Sequence, residues 1–197
     1  MRDPGRGFAS PVFDSQVVFR CLQDALARPG TIGTINPDAQ AAAEGLSTAA
    51  ASTLLTLADF ATPVWLEGGN EHPAAYWLAF HTSARVTTVP GEARFAVLPL
   101  GGETPALCDF PAGEDCYPDR SATMLVECHD FTGGTPVRLQ GPGIRDIVEI
   151  APRGLRPGFW REAIANAARF PLGIDLILAA GDLLIGLPRS TQIAEAP

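Results

Sequence analysis

Apolar residues recur at helical spacing over residues 14–28, where Val17, Val18, Cys21, Leu22, Ala25 and Leu26 make one stripe. Asp14 or Ser15 is placed to cap this predicted helix, and Pro29-Gly30 stop it. A short strand is expected over 31–35, then a loop with some alanine-driven helicity over 36–45. Residues 47–59 predict a second helix with Leu54, Leu55 and Ala58 inward. TPVWLE (62–67) reads as a buried strand, 73–81 as a third helix with Pro73 in its first turn, and 93–100 as a strand. Residues 101–119 are mostly turn formers and acids, with a short helix expected near 104–109. SATMLVECHDF (121–131) and TPVRLQ (135–140) flank Gly133-Gly134 and predict a hairpin, and 144–152 adds a strand. Residues 157–169 predict a fourth helix with Phe159, Trp160, Ala163, Ile164 and Ala167 on one side. FPLGIDLILAAGDLLIGLPRST (170–191) gives two strands around Ala180-Gly181-Asp182.

Helices alternate with strands early and hairpins follow late. That pattern predicts an α/β protein, one domain over 1–197, with a mixed β-sheet flanked by helices. At 197 residues and 46% hydrophobic content, the chain can bury a substantial core. A net charge of -8 disfavours non-specific nucleic-acid binding. No apolar run reaches the ~20 residues of a membrane span, and the start carries no secretory signal pattern. The four cysteines form no C-x-x-C, so reduced thiols in the cytoplasm are expected, with no metal site. Adjacent Cys128 and His129 would point to opposite faces of a strand and read as structural.

All fourteen basic residues are arginine. Without lysine the chain cannot form a Schiff base with pyridoxal phosphate or a carbonyl substrate, nor supply a Walker A lysine. No G-x-S-x-G or H-E-x-x-H occurs, and QGPGI (140–144) is a turn rather than a dinucleotide loop. Glu103, Asp109, Glu114, Asp115 and Asp119 carry an acidic excess that reads as a solvated loop or as a docking surface for a basic partner.

Four polar residues stand out. Asp59 is expected in the last turn of its helix, where the dipole disfavours a carboxylate, so it needs another partner. His81 is placed at a helix end, where a cap is the simpler role. Asp175 shares a strand face with Ile177, opposite Ile174, Leu176, Leu178 and Ala180, and a hairpin would bring it towards Arg189. Such a pair either closes the ladder or presents an arginine to an anion or partner.

Phe19-Arg20, Pro29-Gly30, LLTLADFATPVWL (54–66), FHT (80–82), FPLGIDLIL (170–178) and LPRST (187–191) together resemble the PhnH family of the bacterial carbon–phosphorus lyase system. The segment 101–119 departs most from that pattern. The resemblance implies a subunit that joins three partner subunits in a core complex. That complex replaces the adenine of ATP with an alkylphosphonate, giving ribose 1-alkylphosphonate 5-triphosphate. It also implies a homodimer, and a fold similar to the large domain of pyridoxal-dependent transferases but without the cofactor. It carries over no catalytic residue. Asp59, His81, Asp175 and Arg189 are therefore expected as a functional or interface cluster. Competing readings are a stand-alone small-molecule enzyme using His81 with Asp59 or Asp175, and a homodimeric scaffold with no ligand.

Overall fold

The computed structural model describes residues 5–36, 41–102 and 104–196. Glu103 and residues 37–40 of the expected loop lie outside the described residues. The chain opens with α1 (Pro11–Ala27), β1 (Ile32–Thr34), α2 (Thr48–Leu57), β2 (Val64–Trp65) and α3 (Pro73–Thr82). It continues through β3 (Val86–Thr87), β4 (Phe95–Leu98), β5 (Ala112–Glu114), β6 (Tyr117–Ser121) and β7 (Thr123–Glu127). It closes with β8 (Val137–Gln140), β9 (Val148–Ile150), α4 (Phe159–Ala167), β10 (Asp175–Ala180), β11 (Leu183–Leu187) and β12 (Gln192–Glu195).

Seven strands form one sheet in the order β1-β11-β10-β7-β4-β2-β3. The pairings β10–β7, β7–β4, β4–β2 and β2–β3 are parallel, whereas β11 runs antiparallel to both neighbours. The mixed α/β sheet is thus as expected. The predicted hairpin is not formed. β7 enters the middle of the large sheet, while β8 joins β9 and β12 in a separate antiparallel sheet. Gly133-Gly134 is a local turn signal, but it does not decide which partner a strand takes. β7 gains a parallel neighbour on each side, and all five of its residues are at least partly buried.

The sheet buries both faces. Leu176, Leu178 and Ala180 face a core shared with Val137, Leu139 and Ile150 of the small sheet and with Phe159, Trp160 and Ala163 of α4. Ile177 and Ala179 face a second core built with Val18 and Leu22 of α1, Leu54 of α2 and Trp77 and Leu78 of α3. This is the alternation a strand imposes. Residues 49–54 of α2 are all buried, and the small side chains of 49–53 let the helix lie close against its neighbours. At Gly186 of β11 a Cβ would sit 2.7 Å from the Ala25 carbonyl carbon, so only glycine admits α1 at that distance.

Two helix ends differ from expectation. α1 starts earlier, with Ser10 at the N-cap, and Asp14 reaches back to accept the Ser10 N–H at 2.7 Å. α2 stops at Leu57 because Ala58 is already extended, so Asp59 lies beyond the helix rather than in its last turn. The short helix near 104–109 is a 3-10 turn over Leu107–Asp109. No helix among the described residues is long and apolar enough to cross a membrane.

Candidate functional site

The large sheet sets the geometry. Asp175 begins β10 level with Thr123 of β7, Phe95 of β4 and Val64 of β2. β11 returns antiparallel, Leu176 opposite Leu187, which brings Arg189 back to Asp175. The Arg189 guanidinium is bidentate, with Nε donating to Oδ1 at 3.1 Å and Nη2 to Oδ2 at 2.6 Å. The Arg189 backbone N–H also donates to Oδ1, at 2.8 Å. Nη1 donates to the Pro118 carbonyl at 2.6 Å, and Nη2 reaches Ser121 Oγ. One arginine therefore ties β10, the β11–β12 connection and β6 together. The side chains of Arg189 and Asp175 are only 14% and 25% exposed, so the pair works in a medium of reduced dielectric.

The other two expected members lie elsewhere. Asp59 Oδ1 accepts the Ala61 N–H at 2.9 Å and the Thr62 hydroxyl at 3.0 Å. It closes the turn that leads from α2 into β2. That turn precedes Val64, three strands away from Asp175 across the sheet, or roughly 14 Å. His81 stands in the last turn of α3, and its Nε2 donates to the Gly5 carbonyl at 3.2 Å. Its ring contacts Trp77 and Phe80, and the Trp77 indole N–H donates to the Arg6 carbonyl at 3.1 Å. His81 and Trp77 thus pin the segment before α1. Among the described residues, no hydrogen bond or ion pair joins Asp59, His81 and the Asp175–Arg189 pair.

Residues outside that expectation also form charged clusters. Arg156 is bidentate to Glu162, with both bonds at 2.7 Å, and Glu162 also accepts the Leu107 N–H at 2.8 Å. The bonds from Arg156, then the Leu107 N–H, hold the Glu162 carboxyl below the ordinary range, against a partial burial that works the other way. Arg153 pairs with Asp130 across an isolated antiparallel bridge. At the C-terminal end of β7, Glu127 accepts the Ser47 N–H at 2.9 Å, at the start of α2. Its burial raises its pKa, and the bonds from Ser47 oppose that only in part. His72 caps α3, its Nδ1 accepting the Ala74 N–H at 3.1 Å, and burial lowers its pKa. Cys128 is buried beside Glu127, which pushes its thiol up to about 12, while His129 is exposed. All four cysteines are free.

The sequence signal for the Arg156 region was present in PRGLRPGFWRE (152–162), where three arginines punctuate Gly-Pro turns. An ion pair six residues apart across a turn follows no helical spacing rule, so it is visible only once Gly158 adopts its left-handed φ of 81°.

A family profile described as bacterial phosphonate metabolism protein (PhnH) matches residues 6–194. A Rhizobium meliloti (strain 1021) protein named alpha-D-ribose 1-methylphosphonate 5-triphosphate synthase subunit PhnH is 44% identical over 187 residues, 94% of this chain and 93% of the relative. A Stutzerimonas stutzeri protein named putative C-P lyase subunit protein HtxG is 40% identical over 76 residues, 39% of each chain. The profile match and the near full-length relative establish that the chain belongs to the PhnH family.

Proposed function

We propose that the chain is a subunit of a carbon–phosphorus lyase core complex in organic phosphonate catabolism. With partner subunits it supports transfer of an alkylphosphonate, such as methylphosphonate, to the ribose C1 of ATP, displacing adenine. The carrying observation is the full-length match to a relative named as a subunit of the corresponding synthase. In this reading the chain acts in the cytoplasm as a homodimer that joins the other core subunits. It positions substrate or holds the assembly together, and is inactive alone. The large sheet, parallel but for β11, supports the likeness to the large domain of pyridoxal-dependent transferases, and a chain without lysine has no residue to bind that cofactor covalently.

Two features support assembly as the main role. Arg189 and Asp175 spend their donors and acceptors inside the chain. Large apolar side chains instead remain exposed, among them Val12 and Phe13 on α1, Phe60 after α2 and Phe80 on α3. Co-expression of this chain, tagged, with its neighbouring-subunit homologues tests the reading. The partners should co-purify, and adenine should be released from ATP plus methylphosphonate only by the assembled complex. Adenine release by the purified chain alone would overturn the dependence on partners, and failure to retain any partner would overturn the subunit role.

A further inference from the structure

A cavity of about 410 Å³ opens beside the start of α4, in the size range of small-ligand sites. The segment from Pro152 to Arg161 wraps it, and Gly134 and Glu195 close other sides. Arg153, Arg156 and Arg161 all line it. The carboxylates that orient two of them, Asp130 and Glu162, do not line it, so they fix the guanidiniums from outside the cavity. Among the described residues, the charged lining is three arginines against the one carboxylate of Glu195. Arg156 is 15% exposed, and its Nε–H is buried with no hydrogen-bond partner among the described residues. An unpaired buried charged donor costs more than a paired one, so the site is incomplete as it stands. Arg161 is exposed and enters no ion pair among the described residues. α4 also opens here, and its N-cap, Gly158, has no side chain to offer the first turn.

We propose that this cavity binds a phosphoryl-type oxyanion. Arg153 and Arg156, oriented by Asp130 and Glu162, offer the N–H groups those carboxylates leave over, and Arg161 closes over the anion, the role for which planar guanidinium groups suit tetrahedral oxyanions. The source of the anion rests on the subunit reading: either the phosphonate group of an alkylphosphonate or the triphosphate tail of a nucleotide.

Titration of the full chain by calorimetry, with methylphosphonate in one arm and tripolyphosphate in the other, separates the two sources. Binding in either arm is expected, weakened roughly tenfold or more in Arg161→Glu, which reverses an exposed charge that enters no ion pair among the described residues. Heat in the methylphosphonate arm alone assigns a phosphonate subsite, and heat in the tripolyphosphate arm alone a triphosphate subsite. No binding of either probe up to millimolar concentration, or binding that Arg161→Glu leaves unchanged, overturns the proposal. Co-purification of the wild-type chain with partner subunits reports on the subunit reading separately: failure to retain any partner sinks that reading whatever the calorimetry gives.

Discussion

Two arginine–carboxylate pairs of nearly equal geometry tie different elements together, one at the start of β10 and one at the start of α4. Arg189–Asp175 and Arg156–Glu162 are both bidentate, and their guanidinium groups are similarly shielded, at 14% and 15% exposed. They differ in what is left over. Arg189 adds bonds to Pro118 and Ser121, and its carboxylate also accepts a backbone N–H, so the group closes on itself. Among the described residues, Arg156 keeps an Nε–H without a partner, and it lines a cavity. An ion pair is therefore a poor guide to role until its remaining donors are accounted for. The pair prominent in the sequence is a structural latch, and the one hidden in a turn has capacity to spare.

The latch gives the largest expected effect. Arg189→Ala leaves Asp175 partly buried and unpaired, and should cost about 3 kcal/mol. The melting temperature should then fall by about 6–12 °C for a chain of this length. A loss below about 1 kcal/mol in urea unfolding would break the contrast, because Arg189 would then not be holding its three segments. Next comes Glu162→Gln, which removes the charge that Arg156 and the Leu107 N–H both engage, at roughly 2 kcal/mol. The latch and this pair share no partner, so combining Glu162→Gln with Asp175→Asn should give additive losses within about 0.5 kcal/mol. Marked non-additivity would mean the two pairs are coupled.

A third carboxylate sharpens the comparison through pH. Glu162 is held low, so its contribution is complete above the unfolded carboxyl value of about 4.3 and is lost as pH falls through the folded value. Glu127 has no arginine and is held high by burial. Its contribution is complete below about pH 4.3 and is lost as pH rises through the folded value. Glu127→Gln should therefore gain stability relative to wild type as pH rises above about 4.3, whereas Glu162→Gln loses relative stability only as pH rises towards about 4.3 and holds level above it. Stability curves that move in the same direction for both variants would refute this assignment. The smallest effect belongs to His72, which must be neutral for its Nδ1 to accept the Ala74 N–H. Its folded pKa is lowered, so the cap contributes above the unfolded value of about 6.5 and is lost as pH falls through the folded one. His72→Asn, which caps without titrating, should flatten that limb by about 0.5–1 kcal/mol.

Several of these features were legible in the sequence. The register of residues 174–180 places Asp175 off the more apolar face, and the return through Gly181 brings Arg189 beside it, as the pattern predicts. The four helices follow their periodicity because each has one apolar stripe or a run of small residues. What failed was partner choice. β7 and β8 look like a hairpin locally, yet β7 pairs with β10, some fifty residues downstream, because only the middle of the sheet buries both of its faces. β5 and β6 were missed because exposed residues such as Glu114 and Asp119 give no apolar alternation. Asp59 was placed one turn too early in kind, as a helical residue, since Ala58 continues the apolar pattern after the backbone has left the helix. His81 was read as a helix-end residue, but its partner, Gly5, lies 76 positions away and leaves no local trace.

The pairing of β1 with β11 sets a timetable for folding during synthesis. Thr34 meets Leu183 and Ile32 meets Ile185, so β1 lacks its neighbour until some 150 further residues have been made. At 5–20 residues per second that interval is roughly 8–30 s. Throughout it α1, which also rests on β11, has much of its docking surface missing. The nascent chain thus carries an unfinished edge and an unseated helix for most of its time on the ribosome. Conditions that slow translation late in the message should raise its demand for chaperones more than those that slow it early.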